Sequence, residues 1–317
     1  MAAQASAQAL PRGTKDVIFS VAVRHRILIM LVILAVVAAV VALSVYGFDY
    51  YRLPPILRVR SPKHAVLRSS GWTGIRTGVL GALGFAVLYL YAFRKKWARL
   101  GRIGKTKNWL DYHVVAGVTV PILVTFHSGF RFGGLVGVAY WIMIAVVISG
   151  FVGRYLYAQV PRSLSAAEFT LTEIETMKAE IAAQLAGQPV FPLEHLERLS
   201  RVPDRAEVKA MPLWRAAVRM VGLDLVRPLQ VAALRREALS GWQRVLSLGG
   251  LLASRNPDLE RVVELARRQA RLMVKIAFLD RAREIFHLWH VVHRPFSYSL
   301  AVLVALHLVV EMLLGYF

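Results

Sequence analysis

The chain has 317 residues, 56% of them hydrophobic, and its mean hydropathy is +0.50. Ordinary soluble domains are less apolar, so this composition is typical of a polytopic membrane protein that also has a soluble part. The chain contains no cysteine, which excludes disulfides, thiolate-ligated iron–sulfur clusters and c-type haem attached through a C-x-x-C-H motif.

The net charge of +21 comes from 40 Lys and Arg against 19 Asp and Glu. Much of this charge flanks apolar segments, where membrane topology and contact with anionic lipid headgroups explain it. A basic soluble protein would suggest nucleic acid as a partner. No nucleic-acid-binding module accompanies the charge here, so we expect membrane lipid, and not nucleic acid, around these residues.

Five apolar segments are long enough to cross a membrane, at residues 27–47, 78–93, 113–130, 135–158 and 295–317. Each has about 16–24 residues, close to the roughly 20 that span about 30 Å of hydrocarbon. The first segment is too long for the core of a signal peptide, so it is expected to be an uncleaved anchor. Glycines in the second segment are expected to allow close helix packing, at Gly78, Gly81 and Gly84.

The charges of the loops predict how the chain is oriented. Residues 93–109 carry seven Lys and Arg and no acid, whereas residues 131–134 carry one Arg. The positive-inside rule therefore places residues 94–112 in the cytoplasm and residues 131–134 outside. The N-terminus is then cytoplasmic, the C-terminus is external, and we expect a bacterial inner membrane. The loop 48–77 fits poorly, because it should be external yet carries six Lys and Arg.

A polar insert with 20 basic and 15 acidic residues occupies residues 159–285. Its apolar residues recur at helical spacing, and Pro257 suits the first turn of a helix over 257–294. Segments 211–222 and 228–253 mix Trp, Leu and Arg. They suit either a membrane surface or partner protein, or a small helical domain packed on itself. We expect the insert to be helical and cytoplasmic.

Two pairs of histidines share one spacing inside apolar segments. His113 and His127 are fourteen residues apart, and so are His293 and His307. Fourteen residues advance a helix by about 21 Å and end within about 40° of four whole turns, so each pair shares a helix face. Both helices run outward in the predicted orientation. They can therefore place His113 level with His293, the inner pair, and His127 level with His307, the outer pair.

Two neutral imidazoles from opposite sides are the ligands of a six-coordinate haem, so the spacing predicts two non-covalent haems b held by these four histidines. Ionisable side chains in hydrocarbon are costly and usually functional. The alternative is that the histidines only pack or form hydrogen bonds. Arg131 and Arg294 adjoin the ligands, and they could pair with haem propionates or lie at the membrane interface.

The remaining five histidines fit the ligand pattern less well. His290 and His287 lie off the ligand face, and we expect them near the inner haem at the membrane interface. His25, His64 and His195 lie outside the apolar segments and are expected to be solvated.

Two helices with an H-x13-H spacing, stacking two b haems, resemble the ferric-reductase-like transmembrane family, which includes NADPH oxidases and metalloreductases. The segment VVHRPFSYSLAVLVALHLVV is similar to the last ligand helix of that family. The resemblance covers residues 78–158 and 286–317, and it implies electron transfer between cytoplasmic and external redox partners. Its oxidases carry a flavin and nicotinamide domain after the last helix, but this chain shows no flavin-domain pattern and no G-x-G-x-x-G after a strand.

The sequence thus predicts an all-α fold, a polytopic membrane bundle of about five spans with a four-helix haem-binding core and a soluble helical insert. Its predicted parts are an N-terminal segment, 1–26, four spans, 27–158, the insert, 159–285, and a final ligand helix, 286–317. The expected function is that of a dihaem cytochrome b subunit of an oxidoreductase complex. A flavin or iron–sulfur protein would donate electrons in the cytoplasm, and an acceptor would lie outside.

Two other functions stay open at the level of sequence. One is a quinone-reactive haem b subunit, which quinol would reduce in the isolated protein. The other is a structural membrane anchor whose histidines bind no haem, and purified protein would then lack haem absorbance.

Overall fold

The computed structural model describes residues 12–94, 96–160, 167–187 and 191–315. Within these ranges it contains helices and turns but no strand, so the all-α prediction is confirmed. The helices are α1 (Arg12–Arg52), α2 (Pro55–Arg58), α3 (His64–Leu67), α4 (Trp72–Arg94), α5 (Ala98–Gly101), α6 (Thr106–His127), α7 (Gly134–Gln159), α8 (Ala167–Ala186), α9 (Leu193–Ser200), α10 (Arg205–Ala210), α11 (Leu213–Ala238), α12 (Gly241–Leu246) and α13 (Pro257–Leu313).

Among the described residues, five segments are long and apolar enough to cross a membrane, as the sequence predicts. They are Val23–Arg52, His64–Arg94, Thr106–His127, Val136–Gln159 and Pro257–Leu313. The protein is therefore a multi-pass membrane protein built as a helical bundle. Large apolar side chains on α1 are widely exposed, as on Met30 (67%) and Val45 (74%). Such exposure suits a helix that faces lipid, where apolar surface needs no protein partner.

Helix α13 begins at the predicted Pro257 and continues without a break to Leu313. One continuous helix therefore joins the end of the insert to the last apolar segment. Pro295 lies inside the helix, and in membrane helices neighbouring groups can satisfy the backbone position that proline leaves unpaired.

The chain forms two compact units, one made of Met1–Gly150 with Pro295–Phe317 and one made of Phe151–Arg294. In the first unit, α4 lies against α6. A Cβ on Gly81 would be 3.4 Å from Val124, and one on Gly84 would be 2.4 Å from Val120. Gly84 thus lets the helices approach closely, as predicted, whereas a methyl at Gly81 would meet its neighbour at an ordinary distance.

The core of the first unit joins four helices in one cluster of buried side chains. Its members are Phe85 of α4, Val120 of α6, Met143 of α7 and Leu300 of α13. Val120 lies seven residues from both His113 and His127, and Leu300 lies seven residues from both His293 and His307. The midpoints of the two spaced segments therefore pack in the same apolar layer.

The second unit has a hydrophobic core of its own. One cluster gathers side chains from α8, α9, α11 and the start of α13, including Leu185, Leu234 and Val263. A second cluster centres on Met220 and Phe278. Within this unit, the insert is therefore a helical domain packed on itself, one of the two arrangements that the sequence left open.

A buried ion pair supports the second unit. The guanidinium of Arg235, which is 6% exposed, donates to both carboxylate oxygens of Glu260 at 2.9 and 2.5 Å. It also donates to the carbonyl of Gly250 at 3.2 Å. This arrangement ties α11 to the loop before α13 and to the first turn of α13.

Candidate haem-ligand site

The structure brings the outer pair together. His127 is the last residue of α6, and His307 lies near the end of α13, with both in the first unit. The centroids of their rings are 6.1 Å apart and the ring planes are inclined by 65°. Both side chains are half-buried. Two residues 180 positions apart in sequence thus present their imidazoles to each other across the helix interface.

This separation can be tested against the space that a metal between two imidazoles needs. An imidazole nitrogen lies about 2.0 Å from a bound transition metal, and the ring centroid lies about 1.1 Å behind that nitrogen. Two rings on opposite sides of one metal would therefore have centroids about 6.3 Å apart. The observed 6.1 Å is within a few tenths of an ångström of this value, so the spacing of the two rings would admit one metal between them.

The outer pair supplies two imidazole donors. No group of three or more His, Cys, Asp or Glu residues in the described ranges could hold a metal ion. A bare transition metal usually takes several protein ligands. A porphyrin instead brings four nitrogens of its own and requires only axial ligands from the protein. Two facing histidines are sufficient for that role.

His127 is oriented by the backbone of α4. Its Nδ1 lies 2.8 Å from the carbonyl oxygen of Gly74, which can only accept, so Nδ1 carries the proton and donates it. In that tautomer the lone pair is on Nε2, the nitrogen that a metal would bind. Metal-ligating histidines are held in this way by a carbonyl or carboxylate at the other ring nitrogen.

Gly78 makes room for this ring. A Cβ at residue 78 would be 2.6 Å from Nδ1 and 2.8 Å from Cε1 of His127. The sequence predicts that Gly78 serves helix packing, and the structure shows that what packs there is the imidazole itself.

His307 has a carboxylate beside it. Its Nδ1 lies 3.8 Å from Oε1 of Glu311, one turn further along α13. This distance is longer than a hydrogen bond, so the carboxylate acts on the ring through its negative charge. Glu311 is absent from the predicted site, although an acid four residues after a spaced histidine in an apolar helix is a detectable signal in the sequence.

His113 repeats the arrangement of His127. Its Nδ1 lies 3.3 Å from the carbonyl oxygen of Leu88, and its ring is 5.1 Å from that of Tyr91. Leu88 and Gly74 are fourteen residues apart, the same spacing as His113 and His127. Because α4 runs antiparallel to α6, each histidine of α6 meets a carbonyl of α4 at its own depth.

His293 belongs to the second unit, where its ring stacks on that of Trp289 at 4.7 Å with an inclination of 27°. The inner pair joins residues of the two units, so its pairing stays a prediction. Arg294 is exposed. Arg131 is also exposed and lines a cavity next to the end of α6.

Three histidines that were expected to be solvated have partners instead. His25 lies 3.0 Å from the Tyr112 hydroxyl and 3.3 Å from a carboxylate oxygen of Asp111. His64 Nδ1 lies 3.0 Å from the hydroxyl of Tyr50. His195 Nδ1 lies 2.6 Å from a carboxylate oxygen of Glu237. The expectation failed because these partners lie 14 to 87 residues away in sequence, beyond the reach of a local pattern.

His290 is held by residues of its own helix. His290 Nδ1 lies 3.0 Å from the carbonyl of Phe286, and its ring meets the rings of Phe286 and Trp289. His287 is exposed. The site that can be built from described contacts is therefore the outer pair with its carbonyl and carboxylate partners. Comparison with known protein families, with curated proteins and with solved structures finds no match for this chain.

Proposed function

We propose that this protein is a dihaem cytochrome b subunit that relays electrons across a membrane. The observation that carries the proposal is the outer pair, two imidazoles whose ring centroids are 6.1 Å apart, with the Gly74 carbonyl 2.8 Å from Nδ1 of His127 and the Glu311 carboxylate 3.8 Å from Nδ1 of His307. A half-buried pair of this kind inside a membrane bundle is costly unless it binds something.

The residues around the outer pair have distinct roles in this proposal. The Gly74 carbonyl holds the proton of His127 on Nδ1 and keeps its lone pair on Nε2. The carboxylate of Glu311, 3.8 Å from Nδ1 of His307, would place a negative charge beside that ring. The apolar layer at Val120 and Leu300 excludes water two turns away from the outer pair. A bound haem b would supply a reversible one-electron couple, whose potential these groups would tune.

The inner pair is proposed as the ligands of a second haem. Its support is the repeated contact of His113 with a carbonyl of α4 and the continuous helix that carries both His293 and His307. Redox groups at two depths would serve transfer across the membrane. The proposed dihaem arrangement also resembles that of the ferric-reductase-like transmembrane family.

The proposed setting follows the loop charges. The N-terminus and the insert would be cytoplasmic, the C-terminus external, and the membrane a bacterial inner membrane. A flavin or iron–sulfur protein would donate electrons on the cytoplasmic side, and an acceptor would take them outside. The chain would then be an electron-transfer subunit whose reaction depends on its partners.

The first experiment is a count of haem. Protein purified in detergent from haem-replete cells should contain close to two non-covalent haems b per chain in a pyridine haemochrome assay. A ratio near one would leave only one pair as ligands, and a ratio near zero would refute the proposal. The variant His195→Ala is the matched control, because it removes a histidine of the insert and should leave the ratio unchanged.

A further inference from the structure

A polar cavity of about 250 Å³ lies in the first unit, at the end of α6 and beside the segment between α1 and α4. Three arginines line it, Arg58, Arg68 and Arg131, together with three serines, one histidine and one tyrosine. No acidic residue is found among the described side chains that line it. Its lining therefore carries three positive charges and several hydroxyl donors.

Arg58 forms the floor of the cavity and is only 5% exposed. Its guanidinium donates to the carbonyls of Leu53 at 2.9 Å, Tyr51 at 2.7 Å and Gly129 at 2.5 Å. No carboxylate of a described residue forms an ion pair with it. Three of its five N–H groups are used by the backbone, which leaves two for a ligand. A buried charge without a counter-ion is unfavourable, so an anion in the cavity would stabilise this arrangement.

Arg68 and Arg131 form the rim, and both are exposed. They come from segments more than 60 residues apart, and in the described part of the chain neither is paired with an acid. A guanidinium presents a planar fork of N–H groups that matches the oxygens of phosphate. The cavity is much larger than the roughly 30 Å³ of one water, so a tetrahedral oxyanion can enter between the floor and the rim.

The cavity also helps to explain why residues 48–77 carry six Lys and Arg, although the positive-inside rule predicts few of them in an external loop. Lys63 pairs with Asp49 at 3.4 Å, and Arg76 lies over the ring of Trp72. Arg58 and Arg68 line the cavity. Positive charge in this loop thus has local uses, of which binding an anion is one.

We propose that this cavity binds an oxyanion of the phosphate class, supplied either by inorganic phosphate in solution or by the headgroup of an anionic phospholipid. The proposal does not depend on haem, because every group that carries it belongs to the cavity. Arg58 also clamps α2 to the end of α6, so the rim arginines are the residues to change.

The test measures binding of inorganic phosphate to the purified full chain in detergent by equilibrium dialysis. The double variant Arg68→Gln/Arg131→Gln should bind phosphate at least about tenfold more weakly, since two charge-assisted contacts are lost. Arg60→Gln is the control, because Arg60 is an exposed arginine of the same loop that does not line the cavity. A second arm uses nanodiscs of phosphatidylglycerol or phosphatidylcholine, with native mass spectrometry to count retained lipid.

Loss of phosphate binding in the double variant alone would support the site with a soluble source. Selective retention of phosphatidylglycerol, lost in the same variant, would support it with a lipid source. Equal binding by wild type, double variant and control would overturn the proposal. So would binding that disappears when haem is loaded and returns when haem is removed, because the cavity would then hold haem propionates.

Discussion

The substitution Gly78→Ala tests whether α4 positions His127, the proposed haem ligand. The added methyl would lie 2.6 Å from Nδ1 of His127, so the ring must withdraw by about 0.8 Å to reach an ordinary contact of about 3.4 Å. That withdrawal stretches the 2.8 Å bond to the Gly74 carbonyl toward about 3.6 Å, where it is no longer a hydrogen bond. Loss of such an orienting partner weakens metal binding by about 10- to 100-fold. We therefore expect the haem of the outer pair to bind that much more weakly, while the other haem stays.

The measurement is haem titration of purified variants, followed by absorbance and by the low-temperature spectrum of each component. Gly81→Ala is the matched control, because its methyl would meet Val124 at an ordinary 3.4 Å. Gly84→Ala would meet Val120 at 2.4 Å, so it perturbs the same helix interface away from the ligand. An unchanged outer haem in Gly78→Ala would refute the reasoning. An equal loss in Gly84→Ala would show that helix packing in general, and not the seat of the ring, controls binding.

Three further predictions concern the ligands and the insert. Alanine at either residue of the outer pair should abolish one spectral component, and alanine at either residue of the inner pair should abolish the other. If alanine at two histidines of the same helix abolished the same component, the level-by-level arrangement would be contradicted. Glu311→Gln should raise the midpoint potential of the outer haem by about 40 mV. The substitution removes a negative charge whose interaction with the more positive oxidised form is worth about 1 kcal/mol, so that form becomes less favourable. A redox titration that shows a lower midpoint potential would refute this. Arg235→Ala should lower the free energy of unfolding of the insert by about 2 kcal/mol, since Glu260 is left without its partner, whereas Arg268→Ala at an exposed pair should lower it by about 0.5 kcal/mol. Thermal unfolding and limited proteolysis of the full chain should rank the two variants in that order. Equal losses would argue against a special contribution of the buried pair.

Much of the fold was predictable because the signals for it are local. An apolar run of some twenty residues specifies a membrane helix, and polar segments with helical spacing specify helices of an insert. The five spans and the start of α13 at Pro257 were predicted on these grounds and are found. The sequence does not decide between the two arrangements of the insert, because amphipathic segments look alike whether they pack on each other or on another surface. Its clusters around Leu234 and Phe278 decide for packing.

The candidate site was also predictable from the sequence only in part. The fourteen-residue spacing placed His127 and His307 at the ends of two helix faces, and the structure brings their rings to 6.1 Å. The spacing did not predict the hydrogen bond from His127 to the Gly74 carbonyl, the space for that ring beside Gly78, or the hydrogen bonds of the buried Arg58. Each depends on which turn of one helix lies against which turn of another.

The sequence by itself determined that this chain is an all-α membrane protein with spaced histidines on two helix faces, because hydropathy and a rotation of about 100° per residue are properties of a single helix. Only the tertiary structure decided which atoms meet those histidines and that Arg58, Arg68 and Arg131 share one cavity. These contacts join residues tens of positions apart, and they depend on how closely the side chains of facing helices let the backbones approach.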